Sequence, residues 1–147
     1  MAEKKDIDIV EKDIDIMEKG KDVDVIEKLL QLGDEKITRT IYLKRLDLVL
    51  TIRPITTKEM FELRRRCTYR NPRTKDETYD IEKEQLGIIV IGTVSPNWKD
   101  ERLLSKYNVL TGEDVVRRVL LPGEVVAVAY EIQDLSGFNE EVEDVKN

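Results

Sequence analysis

The sequence predicts an α+β fold that is mainly α, in which an N-terminal β-hairpin precedes about five helical segments and both termini are flexible and acidic. Three observations support this prediction. Residues 37–43 and 48–53 alternate in hydropathy and are rich in β-branched side chains. Helix-start signals then recur along the chain from Thr56 onward. The net charge of −6 comes from the two ends of the 147 residues, a length that suits one domain.

The charge distribution divides the chain into three regions. Residues 1–32 hold ten acidic and six basic side chains, and residues 133–147 hold five and one. The middle of the chain holds 16 acidic and 18 basic side chains and is therefore close to neutral. We expect an acidic N-terminal arm at 1–33, a globular domain at 34–137 and an acidic C-terminal tail at 138–147.

The N-terminal arm contains three copies of a short repeat, at 3–10, 11–17 and 18–26, with the pattern Glu-Lys, a spacer, then Asp-apolar-Asp-apolar-apolar. Spacings of three and four residues between apolar positions within 7–17 fit one stripe of a helix. Strict alternation with Asp instead fits one face of a strand, and Gly20 interrupts both patterns. The arm is predicted to be loosely structured, with a transient helix that docks on a partner. A disordered, solubilising tail is the alternative.

The composition excludes several kinds of catalytic and metal site. The sequence has no His, which removes His general bases, most zinc sites and Ser-His or Cys-His pairs. Its one cysteine cannot form an internal disulfide, and the glycine motifs that bind nucleotides do not occur. No apolar run reaches the roughly 18 residues of a membrane span. We predict a soluble, cytoplasmic protein that is not an enzyme, with no catalytic residue, cofactor or metal ligand.

The two alternating segments predict the antiparallel strands of a hairpin. Residues 44–47 lie between them and are few enough for the connecting turn. Pro54 has no amide hydrogen to donate to a neighbouring strand, so it is expected to close the second strand.

The first helix has the clearest start signal in the chain. Thr56-Thr57-Lys58-Glu59 fits a capping box, in which the Thr56 hydroxyl accepts from the third helical amide and Glu59 reaches back. Met60, Leu63 and Cys67 fall on one stripe of this helix. Cys67 is therefore predicted to be a small core residue rather than a nucleophile, since no His is present to activate it.

A second, central helix is predicted after a polar loop. Residues 69–79 are polar and predict the loop, and Asp80 then caps a helix that runs to about Val94. This helix is apolar on most faces late in its course, which is typical of a buried helix. Trp98, which follows Pro96, is predicted to fill the core rather than to form a ligand platform.

Three further helices are predicted from their end signals. Asp100 caps a short helix to about Tyr107, and Thr111 opens the next one with an acidic residue three positions later. Pro122 suits the first turn of the last helix, and Gly137 is a plausible stop for it.

A basic segment spans the end of the first helix and the start of the loop. It has six cations with no acid between them: Arg64, Arg65, Arg66, Arg70, Arg73 and Lys75. Clustered cations neutralise phosphates, so a nucleic-acid interface is one interpretation. The sequence pI of about 4.9 and the neighbouring acids Glu62, Asp76 and Glu77 favour the other interpretation, a solvated face.

Five motifs in order give the sequence a family resemblance. They are Leu50-Thr51-Ile52-Arg53-Pro54-Ile55-Thr56, Cys67-Thr68-Tyr69, Thr93-Val94-Ser95-Pro96-Asn97-Trp98, Glu113-Asp114-Val115-Val116 and Asp134-Leu135-Ser136-Gly137-Phe138. Their order and spacing, with the acidic tail, resemble the XkdN-like phage tail assembly chaperones over about residues 36–147. The triple repeat of the arm lies outside this resemblance.

The resemblance implies a non-enzymatic assembly factor of phages and defective prophages of Gram-positive bacteria. Its implied partners are the tape measure protein, a long, helical and aggregation-prone chain that it keeps soluble, and the tail tube protein recruited around that chain. The resemblance places the protein in the host cytoplasm and not in the finished virion. Neither a membrane nor a nucleic acid is an expected partner.

Candidate partner-binding residues lie near the end of the chain. Phe138 follows the predicted helix stop and is predicted to anchor a partner. The stripe formed by Val125, Val128 and Ile132 is a second candidate, although the core interpretation is favoured for it. The alternative function is a small acidic regulatory protein that binds nucleic acid or a protein through the basic segment at 64–75.

Overall fold

The computed structural model describes residues 22–144 of the chain, and these residues contain six α-helices and five strands. Lys36–Glu140 form one unit, which we call the body, and the remaining described residues belong to a second unit. The described elements are, in order, α1 (Asp22–Leu30), β1 (Arg39–Leu43), a 3-10 turn (Lys44–Leu46), β2 (Leu48–Ile52), α2 (Thr57–Cys67), β3 (Thr68–Arg70), β4 (Glu77–Tyr79), α3 (Ile81–Gly92), β5 (Thr93–Ser95), α4 (Glu101–Tyr107), α5 (Gly112–Val119) and α6 (Pro122–Leu135). A hairpin followed by five helices confirms the predicted α+β, mainly α fold.

The hairpin is part of a three-stranded antiparallel sheet. β1 pairs with β2, so that Ile41 lies opposite Leu50 and Tyr42 opposite Val49. β5 adds to the other side of β2 and gives the order β1-β2-β5. The central helix therefore ends at Gly92, two residues earlier than predicted, because the following residues pair with β2 instead of continuing the helix.

The prediction of a loop at 69–79 is wrong, since these residues contribute to a second, two-stranded sheet. β3 pairs with β4, and Arg70 lies opposite Glu77. The Asn71 side chain accepts from the Arg73 amide at 2.9 Å, and the Asn71 amide donates to the Asp76 carbonyl at 2.8 Å. A turn stabilised by Asn in this way brings two short strands together. Both strands are polar, so they lack the alternating apolar pattern from which a strand is predicted.

The predicted helix caps are confirmed. Thr56 and Glu59 form the reciprocal capping box, with the Glu59 amide donating to Thr56 Oγ1 at 3.2 Å and the Thr56 amide donating to Glu59 Oε1 at 3.0 Å. The side chains of Asp80, Asp100 and Thr111 each accept from an amide in the first turn of their helices. These bonds satisfy amides that the first turn of a helix leaves without partners. They join residues close together in the sequence, which is why the sequence predicts them.

The central helix α3 packs against α2, α5 and α6, as its apolar sequence predicts. Two glycines allow the close approach. A Cβ at Gly92 would lie 2.5 Å from Ile132 Cγ2, and a Cβ at Gly87 would overlap the Leu63 side chain. Cys67 is buried, and burial raises the pKa of its thiol, which agrees with the predicted core role.

Ion pairs join the hairpin to the last helix. Arg39 on β1 donates to Glu131 at 2.8 Å and to Asp134 at 3.0 Å, both on α6. Arg45 in the 3-10 turn donates to Glu124 at 2.7 Å in the first turn of the same helix. These contacts fix both ends of α6 against the sheet, and nothing in the sequence pattern identified the two arginines.

Candidate functional site

The stripe predicted on α6 is mostly inside the body. Val128 and Ile132 are 1% and 0% exposed, whereas Val125 is partly buried. Val128 and Ile132 therefore contribute to the core, the interpretation that the sequence favours for this stripe. Among the three residues, only Val125 lies next to open surface.

Val125 lines an open groove of about 330 Å³ that lies between α3, α5 and α6. Its lining residues are Glu82, Gln85, Leu86, Arg117, Leu120, Pro122, Val125 and Val126. We call it the helix groove. Leu86 and Leu120 are buried at its base, and Val126 is more than half exposed at its edge.

Charged side chains also line the helix groove. Arg117 donates to Glu82 at 3.1 Å across the helices and to Asp114 at 2.7 Å within α5. The apolar residues Ile81 and Leu121 are next in sequence to lining residues and are more than half exposed. The groove thus has an apolar base and edge beside an ion pair, a combination suited to the apolar side of an amphipathic helix.

Phe138 lies beyond the end of α6 and is half exposed. Gly137 has φ of 89°, a left-handed conformation that ends the helix as predicted, and the Phe138 amide donates to the Gln133 carbonyl at 3.1 Å. Asn139 donates to the Tyr130 hydroxyl at 3.2 Å, which places a second half-exposed aromatic ring near this turn. Phe138 remains accessible to a partner, on a turn with a defined backbone.

The outward face of the three-stranded sheet also carries exposed, uncharged side chains. Tyr42 and Val49 form a cross-strand pair on it, Val94 extends it onto β5, and all three are about half exposed. The sequence reasoning missed this face because it did not predict β5, which depends on pairing with the distant strand β2.

The structure distributes the basic segment over three elements. Arg64, Arg65 and Arg66 are on α2, Arg70 is on β3, and Arg73 and Lys75 are in the turn between β3 and β4. Arg64 lies 3.9 Å from Glu84, and Arg65 and Arg66 border an open depression that Glu59 and Glu62 also line. The part of this surface that α2 contributes therefore carries both positive and negative charges.

The arm helix α1 has an exposed apolar face. Ile26, Leu29 and Leu30 are 54%, 57% and 78% exposed, and Val25 is also exposed. Residues 22–26 of the third copy of the repeat lie in this helix, and the rest of that copy lies outside the described residues. The first two copies lie outside the described residues.

The described residues offer little for metal or membrane chemistry. Within 22–144, no group of three or more Asp, Glu or Cys side chains is placed to hold a metal ion. None of the helices in this part of the chain is long and apolar enough to cross a membrane. The candidate features of the described residues are the helix groove, the outward sheet face, Phe138 and the exposed side of α1.

Comparisons with known proteins give a family match and a structure with a similar fold. The family model described as phage XkdN-like tail assembly chaperone protein matches residues 26–147. The crystal structure of the protein yqbn has the same fold, with a TM-score of 0.57 and 20% identity, over 73% of this chain and 90% of that chain. The sequence has no significant match among curated proteins.

Proposed function

The chain belongs to the XkdN-like phage tail assembly chaperone family, and we propose that it acts by binding the tape measure protein of its own phage or prophage. It holds exposed helices of that long chain in a soluble form and helps tail tube subunits assemble around it. It works without catalysis in the host cytoplasm and leaves before the virion is complete.

The observation that carries this proposal is the helix groove. Leu86, Leu120 and Val125 give it an apolar base, and Val126 leaves an apolar edge exposed to solvent. An amphipathic helix lowers its free energy by burying its apolar side in such a groove. A tape measure helix bound there has less apolar surface available for aggregation.

The proposal is tested by co-expression of the full chain with the tape measure protein from the same locus. We expect a soluble complex that is recovered by pull-down, and the tail tube protein is added in a second experiment. A tape measure protein that stays insoluble and unbound in the presence of the wild-type chain contradicts the proposal.

A matched pair of variants locates the surface. Val126→Asp places a charge at the edge of the helix groove, and Val49→Asp places the same charge on the outward sheet face. The two valine side chains are equally accessible, with Val126 55% and Val49 54% exposed. We expect Val126→Asp to weaken tape measure binding by about tenfold or more and Val49→Asp to leave it unchanged. The reverse pattern assigns the partner to the sheet face instead of the groove.

A further inference from the structure

The last helix, α6, is apolar on the side that faces away from the core as well as on its buried side. Gly123, Val126, Ala127 and Tyr130 have the spacing i, i+3, i+4 and i+7 of one helix face, and all four are exposed. We call these four residues the outer α6 face. A surface helix normally carries charged or polar side chains there, and a helix that is apolar all round is normally covered on both sides. The outer α6 face therefore indicates an interface.

The charged side chains of α6 are all bonded within the chain. Glu124 accepts from Arg45 at 2.7 Å. Glu131 and Asp134 both accept from Arg39, at 2.8 and 3.0 Å. The helix contains no Lys or Arg. Because α6 offers a partner no unpaired charge, the surface that complements its outer face is itself apolar and uncharged.

A second copy of this chain carries such a surface, namely the same outer α6 face. The net charge of −6 makes two copies repel each other, and this repulsion is weakest where uncharged faces meet. A twofold axis, the commonest symmetry of protein oligomers, brings the same face of both copies together.

The charges beyond α6 favour an antiparallel pair of helices. Acidic residues at positions 140, 141, 143 and 144 follow α6 in the sequence, so a parallel pair would bring like charges together. In an antiparallel pair, the C-terminal end of each helix lies beside the N-terminal end of the other. The helix dipole makes that N-terminal end favourable for acidic groups.

We propose that the outer α6 face joins two copies of the chain through an antiparallel, twofold pair of α6 helices. Ala127 lies in the middle of the face and at the axis, where its small side chain lets the helices approach closely. The Tyr130 ring of each copy then lies over Gly123 of the other. A Cβ at Gly123 would meet no atom within 4 Å, so the space outside it is open to a ring. This inference goes beyond the proposed function, since the occupant is a second copy and not a phage protein.

Sedimentation of the full chain measures the association directly. We expect a dimer with a Kd of about 10 µM or tighter. A chain that stays monomeric at about 100 µM overturns the proposal.

Two tyrosine variants of the full chain assign the association to α6. Tyr130 and Tyr42 are 55% and 57% exposed, and their hydroxyls are hydrogen-bonded to the side chains of Asn139 and Asp47. Tyr130→Glu places a charge inside the interface and should weaken dimerisation at least about tenfold, whereas Tyr42→Glu on the sheet should leave it unchanged. Equal weakening of both variants, or the reverse pattern, overturns the proposal. Val126 is not changed here, because it also borders the helix groove.

Two cysteine variants test the antiparallel arrangement by a gain of linkage. Ala127→Cys places two thiols at the axis, and mild oxidation should give a disulfide-linked dimer. Gly123→Cys has room for its side chain but should stay unlinked, because the two copies of residue 123 are about 12 Å apart along the helices. Cys67 is only 2% exposed and does not compete. Linkage through residue 123, or no linkage through residue 127, overturns the proposal.

Discussion

The arm helix and the last helix of the body carry similar apolar stripes with opposite exposure. On α6, Val128 and Ile132 are four residues apart and buried, whereas on α1 Ile26 and Leu30 have the same spacing and are more than half exposed. The spacing of apolar residues therefore identifies a helix face but not what covers it. In the body that face stabilises the fold, and in the arm it is available to a partner.

The largest expected effect on stability comes from removing a buried side chain of the body. Ile132→Ala should lower the free energy of unfolding by about 2–5 kcal/mol, because it removes packing and leaves a cavity. Val126→Ala on the same helix should change it by less than about 0.5 kcal/mol, since Val126 is exposed. Urea unfolding measures both, and equal losses would contradict the division of α6 into a buried and an exposed side.

A smaller loss of stability is expected when a side chain is added to the close contact between α3 and α6. Gly92→Ala places a Cβ 2.5 Å from the branched Cγ2 of Ile132, so the two helices must shift at a cost of about 1–3 kcal/mol. Gly123→Ala is the matched control, because no atom lies within 4 Å of its Cβ. Thermal unfolding should show a lower Tm for the first variant only, and an unchanged Tm for Gly92→Ala would mean that the packing is loose.

A pH-dependent contribution is expected from Glu59. Hydrogen bonds from Arg53, and to a lesser extent from Thr56, lower the pKa of Glu59 to about 2. Because the pKa is lower in the folded state, the stabilisation is present above the ordinary pKa near 4.5 and is lost as the pH falls toward 2. Glu59→Gln should lower the free energy of unfolding by about 1 kcal/mol at neutral pH and by less at pH near 2.

Denaturant unfolding across this pH range measures the effect, and Glu62→Gln is the control on the same helix. Among the described residues, Glu62 has no hydrogen bond or ion pair through its side chain. If the free energy of unfolding depended on pH in the same way in the wild type and in Glu59→Gln, a contribution of the Arg53–Glu59 pair to stability would be ruled out.

The smallest effect on stability is expected in the arm. Ile26→Asp removes an exposed side chain, so the free energy of unfolding of the body should change by less than about 0.5 kcal/mol. Circular dichroism with urea measures this. A loss as large as that of Ile132→Ala would show that the arm helix stabilises the body and would remove the contrast between the two helices.

Local signals made most of the fold predictable. The caps at Thr56, Asp80, Asp100 and Thr111 depend on residues three or fewer positions away, and each helix began where its cap predicted. β5 was missed because three residues have no periodicity of their own and become a strand only by pairing with β2.

The candidate surfaces were less predictable than the elements that carry them. Val125, Val128 and Ile132 share one stripe in sequence, but only their packing against α3 separates buried residues from the edge of the helix groove. Arg39 and Arg45, which hold α6 against the sheet, have partners more than 70 positions away. Contacts at such separations leave no pattern in one sequence.

The most direct test of the contrast between arm and body is amide hydrogen exchange on the full chain, alone and with the tape measure protein. In the free chain, we expect slow exchange in α3 and α6 and fast exchange in α1, whose apolar side chains are exposed. On binding, the amides of α1 should become protected and those near the helix groove should slow further. A bound tape measure protein that leaves the exchange of α1 and of the groove unchanged would contradict the account.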